Sequence, residues 1–290
     1  MLDLITVVFQ EELNLLRIQA ESIHKYISDN NINSITVIVN DKDNVASLID
    51  SAWWKSHQHK VKIKPYSSYN YVSRINGWEN QQLLKLLAAS ESSSKWAMVL
   101  DAKTWFIQPL DTNKLFDAYG KPCVGSAGIS PHFKSSQQFV EQYYNVRMPD
   151  IIGPAGVPFL FESTSVRDMI DEIPGFIEWF QTNVRYPNLI TEFHLYSGYV
   201  RSKHNDYKHL YNNTRYYDAV NIADWEADNF DEIYSNLISN DRVLTASIHR
   251  RAYSKLTESQ CKKWASFLIE KQLIVLDLET INRLNTCKFY

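Results

Sequence analysis

Residues 96–106, Trp96-Ala97-Met98-Val99-Leu100-Asp101-Ala102-Lys103-Thr104-Trp105-Phe106, form an apolar run that stops on a carboxylate. Five apolar residues between Ser92-Ser93-Ser94-Lys95 and Asp101 predict a strand covered on both faces, as in the interior of a largely parallel sheet. Ligands of such sheets sit at the carboxyl ends of the strands, so Asp101 stands at the expected active edge.

Upstream, Gly77 to Leu87 predicts a helix with Leu83, Leu84, Leu87 and Ala88 inward and Gln81 and Lys85 sharing another face. LITVVF at 4–9 and SITVIVN at 34–40 read as buried strands, joined by a helix over 11–28 whose Leu16, Ala20, Ile23 and Ile27 make one stripe. VKIKPY at 61–66 reads as a half-exposed strand stopped by Pro65. Downstream, helical patterns cover about 163–172, 175–183 and 190–202; VLTASI at 243–248 is a strand leading to His249-Arg250-Arg251, and a last helix spans about 257–271 behind the N-cap Thr257. No linker or repeat divides the chain. The expected architecture is one α/β domain over 1–290, a mixed central sheet flanked by helices with a more helical C-terminal half.

The 290 residues carry 30 Lys+Arg against 33 Asp+Glu, so no overall positive field draws the chain to nucleic acid or an anionic membrane. Cys123, Cys261 and Cys287 lack C-x-x-C spacing, which argues against a disulfide framework or thiolate zinc site and for a reducing compartment. Asp3 stands where a signal peptide would be basic, and no apolar run reaches about eighteen residues, so a cytoplasmic setting is expected. Glycines number 8 where about 20 would be average, none in a dinucleotide or P-loop pattern. Aromatics are abundant, and Trp78, Trp105 and Trp225 are candidates to stack on flat groups.

The segment Val99-Leu100-Asp101-Ala102-Lys103-Thr104-Trp105-Phe106 with Pro109-Leu110 resembles the strand and D-x-D segment of GT-A glycosyltransferases, a Rossmann-related fold. With LITVVF, the Gly77–Lys85 helix, Pro158-Phe159-Leu160-Phe161, Thr191-Glu192-Phe193-His194-Leu195-Tyr196 and Ser247-Ile248-His249-Arg250, the likeness extends over about residues 3–255 to the DUF6492-like branch. It implies a hexosyl- or pentosyltransferase using a nucleotide-sugar, a UDP-sugar first, with residues 1–128 on the donor side and 129–290 on the acceptor side. The acceptor would be a surface glycan or, as in some viral enzymes acting in host cytoplasm, 5-hydroxymethylpyrimidine in DNA.

The resemblance makes Glu192 the general base and assigns donor binding to Thr6, Arg74, Gln81, Lys85, Asp101, Lys103, His249 and Arg250. The second D-x-D acid, usually a ligand of Mn or Mg, is replaced by Lys103. An ammonium cannot ligate a metal but can contact phosphate oxygens itself, so weakened metal dependence is expected, with Lys103, His249 and Arg250 neutralising the diphosphate. Any metal would fall to Asp101 and His249. Two basic, aromatic stretches, 201–217 and 249–255, would suit a nucleic-acid groove or a solvated face. The competing reading is a non-catalytic nucleotide- or sugar-binding relative whose D-x-D motif has degenerated.

Overall fold

The computed structural model describes residues 1–154 and 156–274; Cys287 lies outside them. The chain opens with β1 (Leu2–Val8), buried along its whole length, and a 3-10 turn at Gln10–Glu12 leads into α1 (Leu13–Tyr26). Thus the helix expected over 11–28 begins two residues later, its first turn being tighter. Next come β2 (Ile32–Val39), β3 (Val61–Pro65), α2 (Gly77–Ser90), β4 (Trp96–Asp101) and β5 (Thr104–Phe106). The middle of the chain supplies α3 (Thr112–Leu115), β6 (Ser126–Ala127), α4 (Lys134–Tyr144), β7 (Ile151–Ile152) and β8 (Phe159–Glu162). The remainder supplies α5 (Ser163–Glu172), α6 (Phe176–Asn183), α7 (Glu192–His204), β9 (Asp218–Ile222), α8 (Phe230–Ser239), β10 (Val243–Ile248), α9 (Arg250–Tyr253) and α10 (Glu258–Glu270).

The main sheet runs β3-β2-β1-β4-β8, parallel except for β8, which lies antiparallel to β4. Proline can close β3 because that strand is an edge. In register, Val7 faces Asp101 and Val8 faces Val39, so β1, β2 and β4 end together along one carboxyl edge.

A second sheet, β5-β10-β9, starts just beyond Asp101, since only Ala102 and Lys103 separate β4 from β5. The buried Gln19 of α1 fastens this junction: its Nε2 donates to the carbonyls of Asp101 and Thr104. Leu16, Ala20 and Ile23 of α1 pack on the main sheet, while Leu15 and Ile18 join the cluster of Trp105, Ile222, Phe230 and Trp264 around the second. Each fully buried side chain of Leu, Ile or Val size contributes about 1.5–3 kcal/mol, so α1 is held from both sides. Trp105 is part of that core and its indole N–H donates to the Leu15 carbonyl, so the stacking role expected for it does not hold.

No helix among the described residues is long and apolar enough to cross a membrane.

Candidate active site

Four charged side chains meet where the two sheets diverge. Asp101 accepts from Lys85 Nζ at Oδ1 (2.8 Å) and from Lys103 Nζ at Oδ2 (2.7 Å), and Lys85 also reaches Glu192 Oε1 at 3.2 Å. The order Lys103, Asp101, Lys85, Glu192 alternates sign, and the Lys85 and Glu192 side chains are only 3% and 4% exposed.

Each member is placed by a different element. Lys103 occupies the turn between β4 and β5, which Gln19 holds while Thr6 Oγ1 in turn donates to Gln19 Oε1. Lys85 projects from the middle of α2, a helix started by a capping box in which Asn76 and Glu79 satisfy each other's backbone N–H groups. Glu192 is the first residue of α7, behind the N-cap Thr191, where the helix dipole favours negative charge. At Gly198, α7 packs so close to α4 that a Cβ would clash with Val140 Cγ1. Tyr196 accepts from the Glu162 N–H of β8 and pairs with Tyr211, fixing the same helix on its other side.

Burial would raise the Asp101 carboxyl, but Lys103 and Lys85 outweigh it and hold the group well below the usual range. Burial would likewise strip Lys85 of its proton, yet Asp101 and Glu192 push its affinity upward. Glu192 is shifted up because burial exceeds the attraction of Lys85. The quartet is therefore fully charged and internally neutral when Glu192 is ionised.

On the same carboxyl edge, after β2 and β3, lies a cleft of about 560 Å³, lined among others by Asn40, Asp41, Lys42, Asp43, Tyr66 and Asn80. Its floor is joined by a chain of hydrogen bonds: Tyr71 donates to Asn80, Asn80 to Asn40, and Asn40 to the Gly77 carbonyl. Asn80 and Lys85 lie on one helix about 7.5 Å apart along its axis, and none of the four charged residues lines the cleft.

A model described as a family of unknown function, DUF6492, matches residues 6–239. The chain belongs to the DUF6492 family. No curated protein matches it by sequence. Among solved structures it is similar to the bifunctional glycosyltransferase WbbM, at 11% identity and TM-score 0.52, covering 97% of this chain and 51% of that one. The chain thus spans about half of WbbM. Two others are the galactosyltransferase LgtC, solved with donor and acceptor sugar analogs, at 12% identity, TM-score 0.46, covering 97% and 99%, and the Streptococcus pneumoniae glycosyltransferase GlyE, at 12%, 0.48, 93% and 64%. The fold of this DUF6492 chain is of the GT-A type.

Of the expected donor residues, Lys85, Asp101 and Lys103 come together with Glu192. Lys85 does so against the helical periodicity, which gave it a polar face shared with Gln81; it is buried, and Gln81, half-buried one turn earlier, takes no part in the quartet's bonds. Thr6 is buried and spends its hydroxyl on Gln19, so it positions the Asp101 turn instead of facing a ligand. Arg74 is exposed on the loop before α2, its backbone N–H bonded to Gln181.

His249 caps α9 and its Nδ1 accepts from the Arg251 N–H, which leaves the proton on Nε2. Burial, then Lys103, lowers its proton affinity, so at neutral pH it is an uncharged donor beside Lys103 and not the cation expected. Arg250 pairs with Glu11.

The metal expectation meets the donor chemistry directly. Both Asp101 oxygens hold ammonium groups, His249 Nδ1 is engaged, and among the described residues no three His, Cys, Asp or Glu side chains are grouped to hold a cation. The residues present do not fit a divalent metal.

Glu12 escaped sequence reading. It is raised chiefly by burial, with Lys103 pulling it down and Asp101 pushing it up, which puts it in the field of the quartet. Its signal was an acid just past the end of β1, on the edge where ligands collect. The acidic cleft residues Asp41 and Asp43 carry the same signal after β2.

The basic stretch 201–217 is mostly answered internally. Arg201 bonds Asp150, Lys203 pairs with Glu172, Arg215 with Asp218, and Tyr207 and Tyr211 are core. Trp78 is half-exposed and Trp225 is 81% exposed.

Proposed function

We propose that this protein is a glycosyltransferase that moves a sugar from a nucleotide-sugar, a UDP-sugar first, to an acceptor hydroxyl without a divalent metal. The observation that carries the reading is the pairing of Asp101 with Lys103 at the carboxyl end of β4 in a GT-A fold, with a carboxylate, Glu192, on the far side of Lys85. The cleft is lined by amides, hydroxyls, two acids and one lysine, Lys42, which suits a nucleoside, whereas the diphosphate belongs beside Lys103, Arg250 and the Nε2–H of His249.

In the reaction, Glu192 takes the proton of the acceptor hydroxyl as that oxygen attacks the anomeric carbon. The bond from that carbon to the diphosphate oxygen breaks, and the electron pair leaves with the diphosphate. Lys103 releases Asp101 to meet the new charge, while Asp101 keeps Lys85 as its counter-ion. A carbohydrate hydroxyl is the acceptor we favour, because Arg201, Lys203 and Arg215 are already matched by acids and offer DNA little.

Thermal unfolding with UDP-, GDP-, CMP- and ADP-sugars, each in chelator and in manganese, tests the donor, since ligand at about 100 times Kd adds roughly 2.7 kcal/mol. A shift with one nucleotide family that persists in chelator is expected, followed by transfer to a glycan panel. No shift with any donor would instead favour the non-catalytic binding reading.

A further inference from the structure

We infer that Lys85 is a positioning residue that keeps the Glu192 carboxylate ionised and aimed for proton acceptance; the inference rests on the reading of Glu192 as the base. Lys85 is a lysine where helix packing alone would call for an apolar residue, since burying an ammonium is costly without good partners. Asp101 shares it and has a second cation, Lys103 at Oδ2, whereas Glu192 has no other: among the described residues, Lys85 makes its one ion pair.

The groups facing Glu192 act in opposite directions. Burial and the charge of Asp101 at the end of β4 favour the protonated acid. Lys85 from α2, Glu192's own backbone N–H and the N-terminus of α7 favour the carboxylate. Phe193 packs beside the ammonium, 5.7 Å from Nζ to the ring centre, and contributes no competing acceptor oxygen. Lys85 is the largest of the opposing influences, and its bond to Oε1 orients the carboxylate while leaving acceptor capacity on Oε2 for the incoming hydroxyl.

The test is the pH profile of kcat/KM in chelator for the wild type, Lys85→Met and Lys85→Arg. Removing the cation raises the proton affinity of Glu192, so the acid limb of Lys85→Met moves to higher pH by about one unit or more, a loss of about tenfold below the limb that is recovered on raising the pH. Lys85→Arg keeps the limb close to wild type. A uniformly slower Lys85→Met enzyme with an unshifted limb overturns the inference.

Should Lys85→Met fail to fold, carbon-13 spectra of glutamate-labelled wild type, with Glu192 assigned through Glu192→Gln, decide directly. An ionised Glu192 at pH 7.5 is expected, and a protonated one overturns the inference. Full activity in Glu192→Gln removes the base reading and this inference together. An inactive Glu192→Gln beside an unshifted Lys85→Met profile removes only the inference.

Discussion

Asp3 and Asp101 sit on neighbouring strands at opposite ends of the main sheet, and their partners differ in kind. Asp3, buried at the start of β1, accepts from Asn33, Ser34 and Ser92 side chains and from the Ser94 N–H, all neutral donors set by β2 and the turn after α2. Asp101, at the end of β4, accepts only ammonium groups from its side-chain neighbours. Short neutral donors on strands and a tight turn cannot leave, so the amino edge is a fixed knot. Lysines on flexible stems can trade one oxygen for another, so the carboxyl edge can exchange Asp101 for a phosphate.

The contrast breaks most visibly if Glu192→Gln retains turnover. This near-isosteric change is expected to cut transfer by about 10²–10⁴-fold while nucleotide-induced thermal shifts persist. Asp3→Ala should act oppositely, lowering stability in urea unfolding by about 1–3 kcal/mol through orphaned donors, with kcat per folded molecule unchanged. An altered kcat would mean that the amino edge is not purely structural.

Lys103→Ala sharpens the comparison further. It should weaken nucleoside diphosphate binding by about tenfold, the lower end for a charge-assisted bond, yet barely change stability because Asp101 retains Lys85. Calorimetric titration in chelator measures it, and unchanged affinity would place the diphosphate elsewhere. The smallest effect concerns acid. Asp3 is lowered because its hydrogen bonds outweigh burial, so its contribution is present above the unfolded value of about 3.9 and lost as pH falls through the folded one. Asp3→Asn should therefore flatten the fall in stability below about pH 4, measured by urea midpoints.

The strands β1, β2, β4 and β10 and the helix α2 were legible because continuous apolar runs and helical stripes are local patterns. Asp101 was legible as an acid at a strand end. Lys85 was legible as a donor-side candidate sharing a helix face with Gln81, but not as a buried residue, because what covers it arrives from elsewhere in the chain. Glu12 and the cleft acids lacked any partner signal within their own segments. Thr6 looked like a candidate ligand contact because nothing nearby shows that Gln19 will claim its hydroxyl.

By itself the sequence determined which segments become buried strands, where they stop, and that a carboxylate and a lysine follow the strand at 96–101. Hydrophobic periodicity is read over a few residues and survives any tertiary arrangement. Only the folded chain decided that Lys85, 107 residues from Glu192, would bridge it to Asp101 and that both Asp101 oxygens would be held by ammonium groups. The physical reason is that a buried charge persists only where packing brings an opposite charge within bonding distance, and that distance is set by how helices and sheets meet.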